Sequence, residues 1–197
     1  MMRIFNVFFL ATGTLFLFYS CTVKDSGKSN STSKMISDFE NFNYAIDSSW
    51  KKMMKSDDLK IDNMARLVEE LQLVDGSSES ELNALSSEVK NLKSIRYDIA
   101  TIKDSKLIDL YDSATNKVIF DAKEEFRKNP NAVKYQIINQ LISEIQLADD
   151  SVLLYRKDYD KQVDVYNSFV KKNRNELKTI KEEQSKIVEY SLFRLIP

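Results

Sequence analysis

The feature that most constrains the fold is an apolar repeat in the second half of the chain. Its members alternate spacings of three and four residues over about five heptads, and only Gln162 interrupts them. This period is typical of a helix that buries one stripe lengthwise against another helix. The members are Ile138, Leu141, Ile145, Ala148, Val152, Tyr155, Tyr159, Tyr166 and Phe169.

Residues that make turns are scarce, which indicates few and long elements. The 197 residues include only three glycines and two prolines, whereas a sheet protein of this size needs many turns. A first helical stripe runs from Ile36 to Leu71, with a phase shift between Met53 and Ile61 that resembles a coiled-coil stutter. Its predicted end is Asp75-Gly76, where Gly76 suits a left-handed cap.

The remaining breaks predict two or three further helices. We expect a second helix from Ser78 to about Lys128, with a possible bend at Asp104-Ser105, and a third that starts at Asn129-Pro130. The final stripe, from Leu177 to Ile196, fits either a separate helix or a continuation.

These patterns together predict an all-α protein. Long helices with one stripe each and short connections must pack as antiparallel neighbours. We therefore expect an elongated up-down bundle of three to four long helices with coiled-coil-like packing, roughly 60 Å long.

The N-terminus is typical of a bacterial lipoprotein signal. Arg3 precedes an apolar run over residues 4–19, and Ser20 then precedes Cys21, the single cysteine of the chain. We interpret residues 1–20 as a signal peptide and Cys21 as the site of lipid attachment. An ordinary signal peptide cut before Cys21, or an uncut anchor with an incidental cysteine, remains open, although the run is short for a membrane span of about 20 residues.

This anchor predicts the domain organisation and the location. Residues 21–34 are polar and should form the lipidated cysteine and a flexible tether, and residues 35–197 should form the helical bundle domain. The predicted location is the bacterial cell envelope, at the outer or inner membrane, on the periplasmic or surface side.

The composition offers little for catalysis or for cofactors. The chain has no histidine, which removes the commonest general base and metal ligand. Adjacent carboxylate pairs such as Asp149-Asp150 point about 100° apart on a helix and fit solvated faces. Lysine and arginine number 29 against 30 acidic residues, so nothing favours nucleic acid. We expect no enzyme activity, no metal and no cofactor.

A stripe of tyrosines allows two interpretations. Tyr155, Tyr159 and Tyr166 share one helix face, which is typical of core packing with hydroxyl groups at the rim. The functional interpretation is a groove for a ligand or a partner. Tyr155, Tyr159, Tyr166 and Asn167 are accordingly our candidate interaction surface.

Two stretches of the chain carry motifs of a known family. The first comprises Asp149, Val152, Arg156, Tyr159-Asp160, Val163 and Tyr166-Asn167, and the second comprises Asp62, Met64 and Leu67-Val68-Glu69. The first stretch resembles the C-terminal half of the LemA family, whose pattern runs acid, aliphatic, arginine, Tyr-Asn, valine, Tyr-Asn, and Tyr159-Asp160 departs from it through its aspartate. In the second stretch Ala65-Arg66 replace the family's Pro-Asn, and the similarity as a whole spans about residues 46–180.

The resemblance implies a long antiparallel helical bundle held at a membrane by its N-terminus, with envelope-associated roles and no established enzymatic activity. Most members use an uncleaved apolar helix as the anchor, whereas this chain is predicted to use a lipid. The expected function is an envelope scaffold or protein-interaction module whose partners are other envelope proteins, and oligomerisation is left open. The alternative is a surface-exposed helical lipoprotein that binds a host factor or a small apolar ligand.

Overall fold

The computed structural model describes residues 26–180 and 187–193, and this part of the chain is all-α. Its α-helices are α1 (Ser26–Gln72), α2 (Glu79–Ile95), α3 (Ser105–Lys128) and α4 (Gln136–Ile180), with a 3-10 turn at Ala132–Lys134 before α4. The described residues contain no strand, which confirms the predicted helical bundle. The predicted signal peptide and Cys21 lie outside the described residues.

The two longest helices, α1 and α4, run antiparallel along most of their length. The ring centroids of Phe39 and Tyr166 lie 5.7 Å apart near one end. Toward the other end, Asn63 Nδ2 donates to Glu144 Oε2 at 3.0 Å. At about 1.5 Å per residue, the 47 residues of α1 span roughly 70 Å.

The helices α2 and α3 complete a four-helix bundle over one half of this pair. Gln72 Nε2 donates to Asn83 Oδ1 at 3.1 Å, so that α2 folds back along α1. Arg156 of α4 pairs with Asp112 of α3 at 2.6 Å. This ion pair joins the third helix to the fourth in the up-down arrangement. We call this four-helix half the head (residues 57–156) and the rest of α1 and α4 the stalk.

The apolar stripes form one continuous core. Met64, Leu82, Ile138 and Leu141 are fully buried in the head, as are Ile46 and Val163 in the stalk. At the predicted stutter between Met53 and Ile61, the stripe passes through Asp57, whose side chain is buried. The phase shift therefore marks a place where the core is polar rather than apolar.

The predicted second helix is in fact two helices. It stops at Ile95 and resumes at Ser105, after a connection over residues 96–104. Asp98 Oδ1 accepts from the backbone N–H of Thr101 at 2.9 Å, and Thr101 Oγ1 accepts from the N–H of Asp98 at 2.8 Å. This reciprocal turn replaces the predicted bend, and Asp104 caps α3 by accepting from the N–H of Lys106 at 3.1 Å.

The break near Asn129 also differs from the prediction. Asn129 does not begin the next helix but follows α3, and its Nδ2 donates to Asp75 O at 3.1 Å and to Ser77 Oγ at 2.9 Å. It thereby joins this turn to the α1–α2 turn, where Gly76 has the predicted left-handed backbone with φ of 86°.

Both ends of the bundle correct the sequence-based boundaries. Helix α1 begins at Ser26, so residues 26–34 are helical rather than part of a flexible tether. Thr32 and Met35 are half-buried beside α4. Because a helix that has already formed is extended at a small cost in free energy, α1 continues toward the N-terminus through these residues. Helix α4 continues through a kink at Asn173 to Ile180. Residues 187–193 were predicted to be helical, but in the structure they are not.

Candidate functional site

Residues 187–193, here called the C-terminal segment, lie against α1 and α4 in the stalk. Asn167 on α4 holds the main chain of this segment at two points. Its Nδ2 donates to Tyr190 O at 2.9 Å, and its Oδ1 accepts from the N–H of Tyr190 at 3.0 Å. The amide thus satisfies both main-chain polar groups of one residue, as a neighbouring β-strand would.

A second polar side chain on α4 continues this pattern. Asp160 Oδ1 accepts from the N–H of Phe193 at 2.8 Å. Asp160 and Asn167 are seven residues apart, about 10 Å along a helix, and Tyr190 and Phe193 are three apart, about 10 Å along an extended chain. The two spacings match, so the C-terminal segment runs antiparallel to α4 in a fixed register.

Phe193 fills an aromatic slot at the boundary between stalk and head. Its ring stacks on Trp50 with centroids 6.2 Å apart and an interplanar angle of 12°. It meets Tyr159 and Tyr97 edge-on at 5.5 and 5.6 Å. The guanidinium carbon of Arg156 lies 5.1 Å from the ring centroid, which adds a cation–π contact.

Tyr190 occupies a shallower slot one step further along the stalk. Its ring meets Tyr166 edge-on at 5.1 Å, and its hydroxyl donates to Asn43 Oδ1 at 3.3 Å. Tyr190 is half-buried, whereas Phe193 is buried. We call this site, formed by Asn43, Trp50, Tyr97 and residues 156–167 of α4, the tail groove.

These contacts correct the predicted interaction surface. Tyr159 and Tyr166 are 0% and 1% exposed, so they are floor residues of the tail groove and not surface residues. Both sit on the stripe that packs against α1, which explains their burial. Tyr155 is half-buried, with Lys52 Nζ 5.4 Å from its ring centroid. Asn167 is half-buried, and its side chain holds the C-terminal segment.

Burial keeps the tyrosine hydroxyls of the groove protonated. It raises the pKa of Tyr166 to about 12, and the neighbouring Tyr190 contributes to the shift. Burial, followed by the charge of Asp160, also raises the pKa of Tyr159 well above its ordinary range. These groups are neutral at physiological pH and act there as packing groups.

A buried charge network lies beside the groove, where the stutter brings Asp57 into the core. Asp57 Oδ2 accepts from Arg96 Nη1 at 2.9 Å and from the Tyr111 hydroxyl at 2.5 Å. Lys60, only 4% exposed, lies 3.5 Å from Asp57 Oδ1 and 3.3 Å from Asp149 Oδ1. Each buried charge in this network therefore faces an opposite charge.

Arg156 links this network to the tail groove. Its guanidinium donates to both oxygens of Asp112, at 2.8 and 2.6 Å, and to the Tyr97 hydroxyl at 2.9 Å. The same side chain contacts the Phe193 ring. Arg156 was part of the family resemblance, and its structural role is to join α3, the 96–104 connection and the C-terminal segment.

The head carries a separate groove that is open to solvent. It has a volume of about 380 Å³ between α2 and α3, with Ala84, Leu85 and Phe120 as its apolar part. Phe120 is 60% exposed. Acidic side chains line the groove, namely Glu81, Glu88, Asp121, Glu124 and Glu125, together with Lys128. We call this site the head groove.

Sequence analysis missed the parts of both sites that depend on tertiary contacts. Asp160, Tyr190 and Phe193 were not among the candidate residues, although Tyr159-Asp160 and Tyr166-Asn167 repeat a tyrosine followed by a short polar side chain at a seven-residue spacing. That repeat places two hydrogen-bonding side chains on one edge of α4, and it is the signal that could have indicated the groove.

Two further observations concern metals and membranes. Among residues 26–180 and 187–193, no group of three or more acidic or cysteine side chains is placed to hold a metal ion. Within the same ranges, no helix combines the length and the apolarity that a membrane span requires.

Comparison of the chain with protein-family profiles, curated proteins and solved structures found no match in any of the three.

Proposed function

We propose that this protein is a membrane-anchored lipoprotein of the bacterial envelope, and that its helical rod is a scaffold or protein-interaction module without catalytic activity. The observation that carries the proposal is the exposed head groove, where an apolar ring stands among carboxylates. The likeness of residues 149–167 to the LemA family supports an envelope-associated role.

The proposed anchor and the head groove lie at opposite ends of the rod. Lipid on Cys21 would hold the chain just before α1, which begins at Ser26. The head starts near Asp57, roughly 45 Å further along α1 at about 1.5 Å per residue. A rod anchored in this way presents the head groove well away from the lipid surface.

The charges of the head groove favour a cationic partner. Its five carboxylates share three cations, since Lys117 pairs with Glu88 and Asp121, Arg127 with Glu124, and Lys128 with Glu125 and Glu81. Two negative charges remain in excess. Apart from Glu125, which is 13% exposed, the members of these pairs are solvent-exposed, so the pairs are weak and an incoming cation can replace them at small cost. We infer a partner segment that carries basic residues around one apolar anchor.

Crosslinking in intact cells tests the interaction. The wild-type chain should recover reproducible envelope proteins, and Phe120→Ser should lose them because the apolar anchor point is gone. Leu110→Ser is the matched control, since Leu110 is also on α3 and is 54% exposed but lies outside the head groove. If all three chains recovered the same amount of envelope protein, the proposal would be contradicted. It would also be contradicted if the amount recovered did not fall when salt was added before crosslinking.

Metabolic labelling with a palmitate analogue tests the anchor separately. The wild-type chain should incorporate the label and partition with membranes, and Cys21→Ser should do neither. One acyl chain alone binds a bilayer only marginally, so we expect at least a diacylglycerol on Cys21. A Cys21→Ser chain that still incorporates the label would disprove lipidation at this residue.

The alternative, a small apolar ligand held by the tyrosine stripe, is less well supported. The rings of Tyr190 and Phe193 occupy the space beside Tyr166 and Tyr159 that such a ligand would need.

A further inference from the structure

We propose that the tail groove is a recognition site for an extended peptide of a partner protein, and that the C-terminal segment is its resident competitor. The peptide class is acid–aromatic–x–x–aromatic, read from Glu189, Tyr190 and Phe193. This site lies along the stalk up to its boundary with the head and shares no residue with the head groove, so the inference goes beyond the proposed function and does not depend on the head groove.

The polar contacts of the groove are made to main-chain atoms of its occupant. Asn167 binds the N–H and the C=O of Tyr190, and Asp160 binds the N–H of Phe193. Any extended peptide can present these groups, whatever its side chains. Recognition of main-chain groups by a fixed row of partners is the way in which proteins bind peptides in the strand-addition mode.

Side-chain contacts add selectivity at three positions. The slot around Phe193 is closed by Trp50, Tyr97 and Arg156, and it accepts a buried aromatic ring. The Tyr190 slot is half open, with Asn43 as an acceptor for a hydroxyl group. These slots select the two aromatic residues of the peptide.

The acidic position is selected by two cations on α4. Glu189 pairs with Arg174 at 2.8 Å and with Lys171 at 3.4 Å. Both cations are largely solvent-exposed, so they attract an acidic side chain without a large desolvation cost.

The C-terminal segment is fully buried at one residue only, which makes exchange feasible. Among residues 187–193, Phe193 is buried, Ile187, Tyr190 and Leu192 are half-buried against the core, and Val188 is 58% exposed. Segments with little buried apolar surface open locally at low free energy. As an intramolecular ligand, however, the segment has an advantage over a free peptide, so a free peptide binds weakly until the segment is loosened.

Fluorescence anisotropy with a labelled peptide of residues 187–193 tests this in the full-length chain. The loosened chain carries Tyr190→Ala and Phe193→Ala, and we expect it to bind the peptide at least about tenfold more tightly than the wild-type chain does, because the competitor is weakened. A peptide with alanine at both aromatic positions should not bind either chain. Circular dichroism establishes that the loosened chain keeps its helices.

Asn167→Leu in the loosened chain identifies the site. It removes two hydrogen bonds at similar volume and should weaken peptide binding about tenfold or more. Asn175→Leu, at an exposed position of the same helix, is the control and should leave binding unchanged.

If the double variant does not fold, Glu189→Lys provides a second loosened chain, since it repels Lys171 and Arg174 without touching the core. Peptide binding that is equal in loosened and wild-type chains, or that survives Asn167→Leu, would overturn the proposal.

Discussion

Arg156 is 4% exposed, yet it carries a full charge at the meeting point of three parts of the chain. A bidentate pair with Asp112 and a bond to the Tyr97 hydroxyl offset the cost of its burial. Its guanidinium also faces Phe193. The residue therefore couples the stability of the head to the seating of the C-terminal segment.

Replacement of Arg156 should be costly. We expect Arg156→Met to lower the free energy of unfolding by about 2 kcal/mol, because Asp112 and Tyr97 lose their partner while Asp112 stays partly hydrated. Arg156→Lys should recover little, since an ammonium group cannot form the two-pronged pair. Urea unfolding measures the free energy of unfolding of both variants, with Lys157→Met at the adjacent exposed position as the control. An equal loss of stability in Arg156→Met and Lys157→Met would contradict the structural role of Arg156.

The buried tyrosines predict a loss of stability at alkaline pH. The pKa of Tyr166 is about 12 in the folded chain, against an ordinary value of 10.0. The unfolded chain therefore releases this proton first, so the stabilisation is complete below pH 10 and falls as the pH rises toward 12.

Unfolding titrations from pH 9 upward should show that decline, and Tyr166→Phe should reduce it. A decline of the same size in Tyr166→Phe and wild-type chains would exclude this tyrosine as its source.

At the scale of elements, the helices could be predicted where apolar period and burial agree. The repeat from Ile138 to Phe169 predicts α4 because each of its apolar members is buried or half-buried, and Gly76 has the predicted left-handed backbone. The division between α2 and α3 was missed because residues 96–104 contain no glycine or proline. The side chains of Asp98 and Thr101 bond to each other's backbone N–H groups and form a turn where the helix stops.

The turn at Asp98 should accordingly contribute measurable stability. We expect Asp98→Ala to cost about 1 kcal/mol, as the loss of a helix cap does, because the N–H of Ala100 loses its side-chain acceptor and the N–H of Thr101 keeps only the backbone oxygen of Asp98. Asp98→Asn keeps an accepting oxygen and should cost clearly less. Thermal or urea unfolding compares the two; equal costs would indicate that charge, not hydrogen bonding, matters at this turn.

The candidate site could be predicted only in part. Asn167 was predicted through the Tyr166-Asn167 pair of the family resemblance, and in the structure its side chain bonds to Tyr190 of the C-terminal segment. The occupant was missed because residues 187–193 have apolar members at spacings that also fit a helix. Contacts with Asp160 and Asn167, more than 20 residues away, keep that segment non-helical. Local pattern carries no information about such contacts.

At the scale of the whole molecule, the length of α1 sets a lower limit on its size. A 47-residue helix spans about 70 Å, more than the roughly 60 Å expected from sequence. A compact chain of this length would have a radius of gyration near 16 Å. Small-angle scattering of the purified chain should show a maximum dimension of at least about 70 Å; a value near 45 Å would mean that α1 is bent or broken in solution.

The stacking of Trp50 on Phe193 has a practical consequence. Trp50 is the single tryptophan of the chain, and its indole lies at the inner end of the tail groove. Any event that withdraws Phe193 exposes this one fluorophore to water, so the emission wavelength of the unlabelled protein reports on the occupancy of the groove. The chain thus contains its own optical probe, with which the proposed exchange at the groove can be followed in real time.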